Sequence, residues 1–318
     1  MSNSILTNQS AQTALSTLNY TNKLLTQTQS AISTGLRVAS ASDNAAYWSI
    51  ATEQRSDNKA LSTVQDALGL GAATVDVATT GIEAVIEVTD EIKKKLVAAR
   101  EPGVDRAKIQ SEITQLQGQI TSIAESASFS GENWLSVDSS DAGYNATKSI
   151  VSSFNRAAGG TVSVSTIDIT ISSVELFDAN SAGTGIIDGD RTATAGTFTV
   201  ATLSISALTD AAADLTTLDQ YIQGVDDAIT ELTTAATDLG AVTARIDIQR
   251  DFVKALSDAV DRGIGQLVDA DLNEESTRLQ ALQAQQQLGI QGLKTCRFFV
   301  QVCINQLSDT PINSIRKC

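Results

Sequence analysis

At 318 residues and 42% hydrophobic, the chain is long enough for two or three domains with packed cores, and a formal net charge of −15 argues against nucleic acid, which is bound through clustered Lys and Arg. It holds no His, which removes the usual general base, the Ser-His triad, the HExxH zinc motif and the commonest transition-metal ligand; no catalytic residue, metal or cofactor is expected. Aromatics make up 4%, prolines number two, and the abundance of Ala, Ser, Thr, Leu and Gln favours long helices packed through small side chains.

Residues Met1 to Asn22 carry no charged side chain and no apolar run of seven or more, so no secretory signal is expected there. The chain shows no unbroken run of 18 apolar residues either, and membrane insertion is not expected. From Ile5 to Leu36, Ala11, Leu15, Leu18, Leu25 and Ile32 recur at near-heptad spacing with Thr, Asn and Gln between them. Such a stripe is too weak to hold a helix alone in water and should order only on packing. Gly35 interrupts it, and Ser40 to Asn44 supply turn and N-cap residues.

A strong heptad follows. Leu61, Leu68, Val75, Ile82 and Leu96 hold one position, Val64, Ala78, Val85, Ile92 and Ala99 the other, with Gly71 and Thr89 as lapses. Pro102-Gly103 stops this helix, and Asp105 is a plausible cap for a return helix whose face carries Ile109, Ile113, Leu116, Ile120, Ile123 and Ala127. The short connection forces a helical hairpin. From Ser128 to Ser206 the period changes: Val162, Val164, then Ile167, Ile169, Ile171, and later Phe198, Val200, Leu203, Ile205 alternate with polar residues between turn signals, which predicts a small β-rich insertion.

The longest signal runs from Ala211 to Leu267. Ala211, Leu218, Val225, Leu232, Leu239, Ile246, Val253, Val260 and Leu267 stand in one seven-residue register, with Leu208, Leu215, Ile222, Ile229 and Ala236 beside them. At about 1.5 Å per residue this is a rod of roughly 85 Å, too long to bury its seam against itself, and the hairpin is its expected partner. After Gly263 and Gly265 the seam changes phase: Leu272, Leu279, Leu293, Val300 and Leu307 share a register, with Leu282, Cys296 and Cys303 alongside. This stripe, weakened by Glu275 and Gln286, ends at or before Thr310 because Pro311 follows. Cys296, Cys303 and Cys318 all fall in this last part and read as small apolar side chains.

The fold class is therefore mainly α: long heptad-patterned helices forming a hairpin plus a C-terminal rod, with a small β-rich insertion. Residues 1–43 and 268–318 are expected to be terminal helices, 44–138 and 208–267 an inner helical domain, and 139–207 the exposed insertion.

Specific residues add a resemblance. Ser30 to Ala51 reads SAISTGLRVASASDNAAYWSIA, followed by Ser56 to Lys59 and Val64 to Ala67; Phe129 to Trp134 reads FSGENW; and Asp247 to Phe252, Leu272, Glu274 to Ser276 and Leu279 to Gly289 follow later. Together they resemble bacterial flagellin, and Ala46 to Ile50 is similar to flagellins of rhizobium-like alphaproteobacteria. The resemblance implies a structural subunit that polymerises into the flagellar filament, with terminal helices pairing in the core and the insertion facing solvent. It implies Leu15, Leu18, Leu25, Ile32, Leu272, Leu279, Leu282, Leu293, Val300 and Leu307 as subunit-packing positions. It also implies an extracellular location reached through the growing flagellum, and export apparatus, export chaperone and cap proteins as partners beside other copies of the chain. A hook-associated junction protein or a cell-surface polysaccharide binder of flagellin type is the alternative.

Two departures stand out. Gly292 to Cys318 reads GLKTCRFFVQVCINQLSDTPINSIRKC, whereas the family ends on a polar helix without cysteine. In flagellins sensed by the animal Toll-like receptor the second helix presents an Arg-rich, Glu-containing surface; the matching Ile92, Lys94, Lys95 and Leu96 put Lys95 at the acidic position. Reversing a charge in a paired contact costs binding, so weak or absent activation is expected. Ser42, Asn44 and Tyr47-Trp48 likewise alter the peptide that plants sense.

Other motifs have plain readings. Gly69-Leu70-Gly71 lies in a helical heptad without a preceding strand, which argues against a phosphate loop. Lys93 to Lys95 reads as a solvated face, the neighbouring acids Asp226-Asp227 and Glu274-Glu275 point to different faces, and Trp48 and Trp134 read as packing residues, Trp48 alternatively as a subunit contact.

Overall fold

The computed structural model describes residues 9–157, 160–180 and 183–308, without the side chains of residues 10, 296, 297 and 299–308. Its helices are α1 (Gln9–Thr34), α2 (Ala45–Ala98), α3 (Arg106–Ser126), α4 (Ala212–Val268) and α5 (Leu272–Ser308). The chain divides into two compact units, one of residues 1–56 and 259–318 and one of residues 57–258.

The larger unit is organised by the heptads. All ten seam residues read on the second helix, from Leu61 to Ala99, are buried, as are Leu218, Val225, Leu232, Leu239, Ile246 and Val253 of α4, and they share one core with Ile113, Ile120 and Ala124 of α3. By length and composition α2 could cross a membrane, which its lack of an unbroken apolar run did not suggest; here its seam residues are committed to this core. Gly103 takes a positive φ of 81° in the turn before α3, and the Asp105 carboxylate caps α3 by accepting from the Lys108 amide. The start of α4 is tied to the same turn by Arg106, which is 7% exposed: its guanidinium donates to the carbonyls of Ala99 (3.0 Å) and Leu208 (3.3 Å) and pairs with Asp210 at 2.7 Å.

The insertion consists of two-stranded pieces. β1 (Ser128–Phe129) and β2 (Glu132–Asn133) form a hairpin, with Ser130 and Gly131 at positive φ as the primed two-residue turn requires. Asn133 fixes its exit, donating to the Ala124 carbonyl at 2.7 Å and accepting from the amides of Leu135 and Ser136. β3 (Ser136–Val137) runs parallel to β6 (Phe177–Asp178), β4 (Thr147–Arg156) pairs antiparallel with β5 (Val162–Thr170) around a bulge after Val151, and β7 (Arg191–Ala193) pairs with β8 (Gly196–Phe198).

The strand reading of the insertion needs three corrections. Ile171 opens a single 3₁₀ turn, Ile171–Ser173, at the end of β5. Val162 and Val164 are exposed while Ile167 and Ile169 are buried, as an odd spacing along one strand demands. Leu203 and Ile205 lie outside any strand, yet both are buried. Two glutamines of α3 hold them: Gln110 donates to the Leu203 carbonyl and accepts from the Ile205 amide at 2.7 Å, and Gln117 donates to the carbonyls of Val200 and Leu203.

The long helices are recessed where the insertion lands. A Cβ on Gly71 of α2 would lie 2.6 Å from the Ile150 side chain, one on Gly81 2.5 Å from Leu135, and one on Gly224 of α4 2.5 Å from the Phe198 ring. The lapse at Gly71 is thus a seat. Arg156 at the end of β4 grips Asp57 of α2 with both guanidinium arms.

Candidate assembly interface

In the smaller unit α1 packs against α5. Gly35, at a φ of 70°, ends α1 in the left-handed region that favours glycine. Leu36 then forms an antiparallel bridge to Asp269; the amides of Arg37 and Val38 donate to the Val268 carbonyl, and the Ala270 amide donates to the Gly35 carbonyl at 2.9 Å. α4 runs through Gly263 and Gly265 and breaks only at Asp269, so the bridge, not the glycines, marks the phase change. A small core of Val38, Ala51, Ile264 and Val268 lies beneath it. Each new helix is capped: Asn44 accepts from the amides of Ala46 and Tyr47 at the start of α2, and Asp271 from those of Asn273 and Glu274 at the start of α5. Asp43, bound by the backbone and side chain of Ser40 and the amide of Ala39, is held below the ordinary aspartate range.

The α1–α5 seam is sparse. Asn22 accepts from the Gln286 amide at 2.7 Å, and a Cβ on Gly289 would lie 3.3 Å from Leu18, so the two helices run antiparallel in a register that sets Leu25 opposite Leu282. Among the described residues of this pair, Leu282 is the one large apolar side chain that is buried; its company is Thr21 and Thr28. Leu18, Leu25, Ile32, Leu279 and Leu293 are half-buried, and Leu15 and Leu272 are about half exposed, at 51% and 52%. Tyr20, Leu288, Ile290 and Phe298 are exposed as well. The side chains of Val300, Leu307, Cys296 and Cys303 lie outside the described residues, as do Pro311 and Cys318. Burying one Leu contributes about 1.5–3 kcal/mol, against roughly 1–2 kcal/mol of backbone entropy for every residue ordered. The described part of the pair therefore leaves most of its stabilisation to be found elsewhere.

Of the receptor-facing residues read on α2, Ile92 and Leu96 are fully buried, so only the lysines reach the surface at that turn. Lys94 pairs with Asp90 at 2.8 Å and Lys95 with Glu112 of α3 at 2.7 Å, while Lys93 meets Asp226 of α4. Trp134 is buried, whereas Trp48 is 37% exposed beside exposed Tyr47 and Ile50.

The insertion holds three acids that sequence reasoning missed, because nothing in their spacing announces them. Asp178 accepts from the Ser139 amide, the Asn180 amide and the Thr184 hydroxyl; burial pushes its pKa up, these hydrogen bonds outweigh burial, and the result is about 2. Glu175, which accepts from the Tyr144 hydroxyl at 3.1 Å, and Asp188, which accepts from the Asp178 amide, are both raised by burial first. The signs oppose each other. A raised acid stabilises the fold at low pH and loses that contribution as pH rises through its folded value; Asp178 stabilises above the ordinary aspartate value and loses its contribution as pH falls toward about 2. The insertion is expected to resist urea best at mildly acidic pH, followed by Trp134 fluorescence in a Trp48→Phe background. Glu175→Gln should flatten the decline toward neutral pH; an unchanged slope would refute the assignment.

Among the described residues no group of three or more His, Cys, Asp or Glu is placed to hold a metal ion. A groove of about 480 Å³ is lined by Thr184, Arg191, Thr230 and Glu231, and its arginine is tied to Glu231 at 2.6 Å and to the Ile186 carbonyl.

Comparison with known proteins agrees with this geometry. Residues 5–140 match the bacterial flagellin N-terminal helical region, and residues 222–305 match the bacterial flagellin C-terminal helical region. Flagellin C of Rhizobium meliloti strain 1021 is 50% identical, over 91% of this chain and 94% of that protein. Flagellin A of the same strain is 45% identical, over 91% of this chain and 96% of its own length, and the flagellin of Brucella melitensis biotype 1 is 44% identical over 91% and 94%. With both helical regions matched and near-full-length relatives at this identity, the chain belongs to the bacterial flagellin family.

Proposed function

We infer that this chain is a structural subunit that polymerises into the bacterial flagellar filament. The observation that carries the reading is the contrast between an inner core with its own long seams and a terminal pair that, among its described residues, buries a single large apolar side chain, in a chain of the flagellin family. Neighbouring subunits supply the surface that α1 and α5 lack, and both helices order fully only in the polymer. Residues 1–43 and 268–318 then act as assembly helices, 44–138 and 208–267 as the inner tube, and 139–207 as the solvent-facing insertion. The protein works outside the cell and leaves through the growing flagellum with an export chaperone, the export apparatus and cap proteins as transient partners. It performs no catalysis. Lys94 and Lys95, already engaged by acids within the chain, make a poor contact for an innate receptor.

Expression in a flagellin-null strain, imaged by electron microscopy, tests this directly. Regular filaments are expected. Soluble monomers or cell-surface puncta without filaments would favour the junction or polysaccharide-binding alternatives.

A further inference from the structure

The groove of about 480 Å³ in the larger unit is walled by the 3₁₀ turn, the loop before β7 and one face of α4. Its hydroxyls have already spent their hydrogens. Thr230 donates to the Asp226 carbonyl at 3.0 Å, Thr234 to the Thr230 carbonyl at 2.9 Å, Ser173 to the Thr170 carbonyl at 3.0 Å and Thr184 to the Asp178 carboxylate at 2.8 Å. Each of these oxygens has only lone pairs left to offer a ligand. The backbone adds little: the Ile186 amide donates to the Glu175 carbonyl and the Gly189 amide to the Gly185 carbonyl.

The groove's cation is committed as well. Arg191 gives Nη2 to Glu231 at 2.6 Å and to the Ile186 carbonyl at 3.2 Å, and its Nε is buried without a partner, closed off from the groove. Two carboxylates face solvent there. Glu231 holds Arg191 through Oε2 alone, and Asp190 is exposed and, among the described residues, makes no ion pair. Two acids against one arginine leave a negative charge in excess.

Walls that accept but do not donate, with an excess negative charge, repel an anion and leave a ligand carbonyl unsatisfied. They suit an ammonium, which brings three donors and no acceptor. A sugar fits less well, because it brings acceptors too and no aromatic side chain lines the groove to lie under its ring. A bare divalent cation lacks ligands, since the described acids gather in no group of three. The threonine methyls and Ile186 offer carbon along which methylenes can lie.

We propose that this groove binds an aliphatic polyamine, with its ammonium groups on Asp190 and Glu231 and its methylenes along Thr230, Thr234 and Ile186. The bound chain ties the insertion to α4. Every residue of the site belongs to the larger unit of one subunit, so the inference stands or falls independently of the filament reading.

The test is calorimetric titration of the full-length monomer with spermidine at about 0.15 M salt, where condensation on a surface of net charge −15 is weakened. One saturable site is expected, and spermidine should raise the urea midpoint read from Trp134 in the Trp48→Phe background. Asp190→Asn/Glu231→Gln should weaken binding at least tenfold, and Thr230→Val, which keeps both charges, several-fold. Asp66→Asn/Asp76→Asn removes the same charge from exposed positions of α2 and should bind like the wild type. Equal losses in the two charge variants would make the binding mere condensation on an acidic surface and overturn the proposal. So would the absence of a saturable site, or saturable binding of calcium or sulfate in place of spermidine. If the groove variant with both acids replaced fails to fold, Thr230→Val decides, and an unchanged affinity overturns the assignment.

Discussion

Leu282→Asp is expected to abolish polymerisation on seeds while leaving the melting of the inner unit within about 0.5 kcal/mol of the wild type. Leu282 is the buried anchor of the α1–α5 pair, opposite half-buried Leu25 in a seam that also holds the polar Thr21, Thr28, Asn22 and Gln286. A carboxylate there must either stay in an apolar contact at a cost of several kcal/mol or part the helices. The inner unit has its own core from Leu61 to Val253 and does not include this residue. Sedimentation after seeding and a thermal melt of the monomer separate the two effects. A variant that polymerises normally, or one whose inner unit unfolds, would break the division of labour between the two parts.

The second large effect is expected at Gly81. A side chain there meets Leu135 at 2.5 Å and Ala127 at 3.3 Å, where the residues flanking the FSGENW segment pack on α2. Gly81→Leu should destabilise the inner unit by about 1–3 kcal/mol from overpacking, even though leaving glycine raises helix propensity by about 1 kcal/mol. Leu135→Ala in the same chain should recover part of that loss by opening space. Gly118→Ala and Gly240→Ala, where an added Cβ finds nothing within 4 Å, should instead stabilise by about 0.5–1 kcal/mol. Urea midpoints of the four variants decide the matter. If Gly81→Leu proves as stable as Gly240→Ala, the recess is not a seat for Leu135.

These two sites also show what could be read before the fold was known. The seams of α2 and α4 were legible because a seven-residue period sustained over some forty to fifty residues has one physical solution, a long helix with one buried stripe. The marginality of the terminal stripes was legible for the same reason: Thr and Gln at seam positions say that little surface is buried, and Thr21, Thr28 and Gln286 sit there. What periodicity hides is contact between segments distant in sequence. Gly71 looked like a lapse, and only the position of Ile150 explains it. Leu203 and Ile205 alternate as a strand would, but their backbone partners are the side chains of Gln110 and Gln117, on a helix far earlier in the chain. Ile92 and Leu96 were placed on a receptor-facing surface by resemblance alone, whereas their heptad positions turn them into the core.

Hydrogen exchange of monomer and filament, resolved to individual helices, tests the account most directly. Amides of α1 and α5 should exchange with little protection in the monomer, because the pair buries so little, while those of α2 and α4 between Leu61 and Val253 exchange near the global limit. In the filament the protection of α1 and α5 should rise to that of the inner helices. Terminal amides as well protected in the monomer as those of α2, or unprotected in the filament, would contradict it.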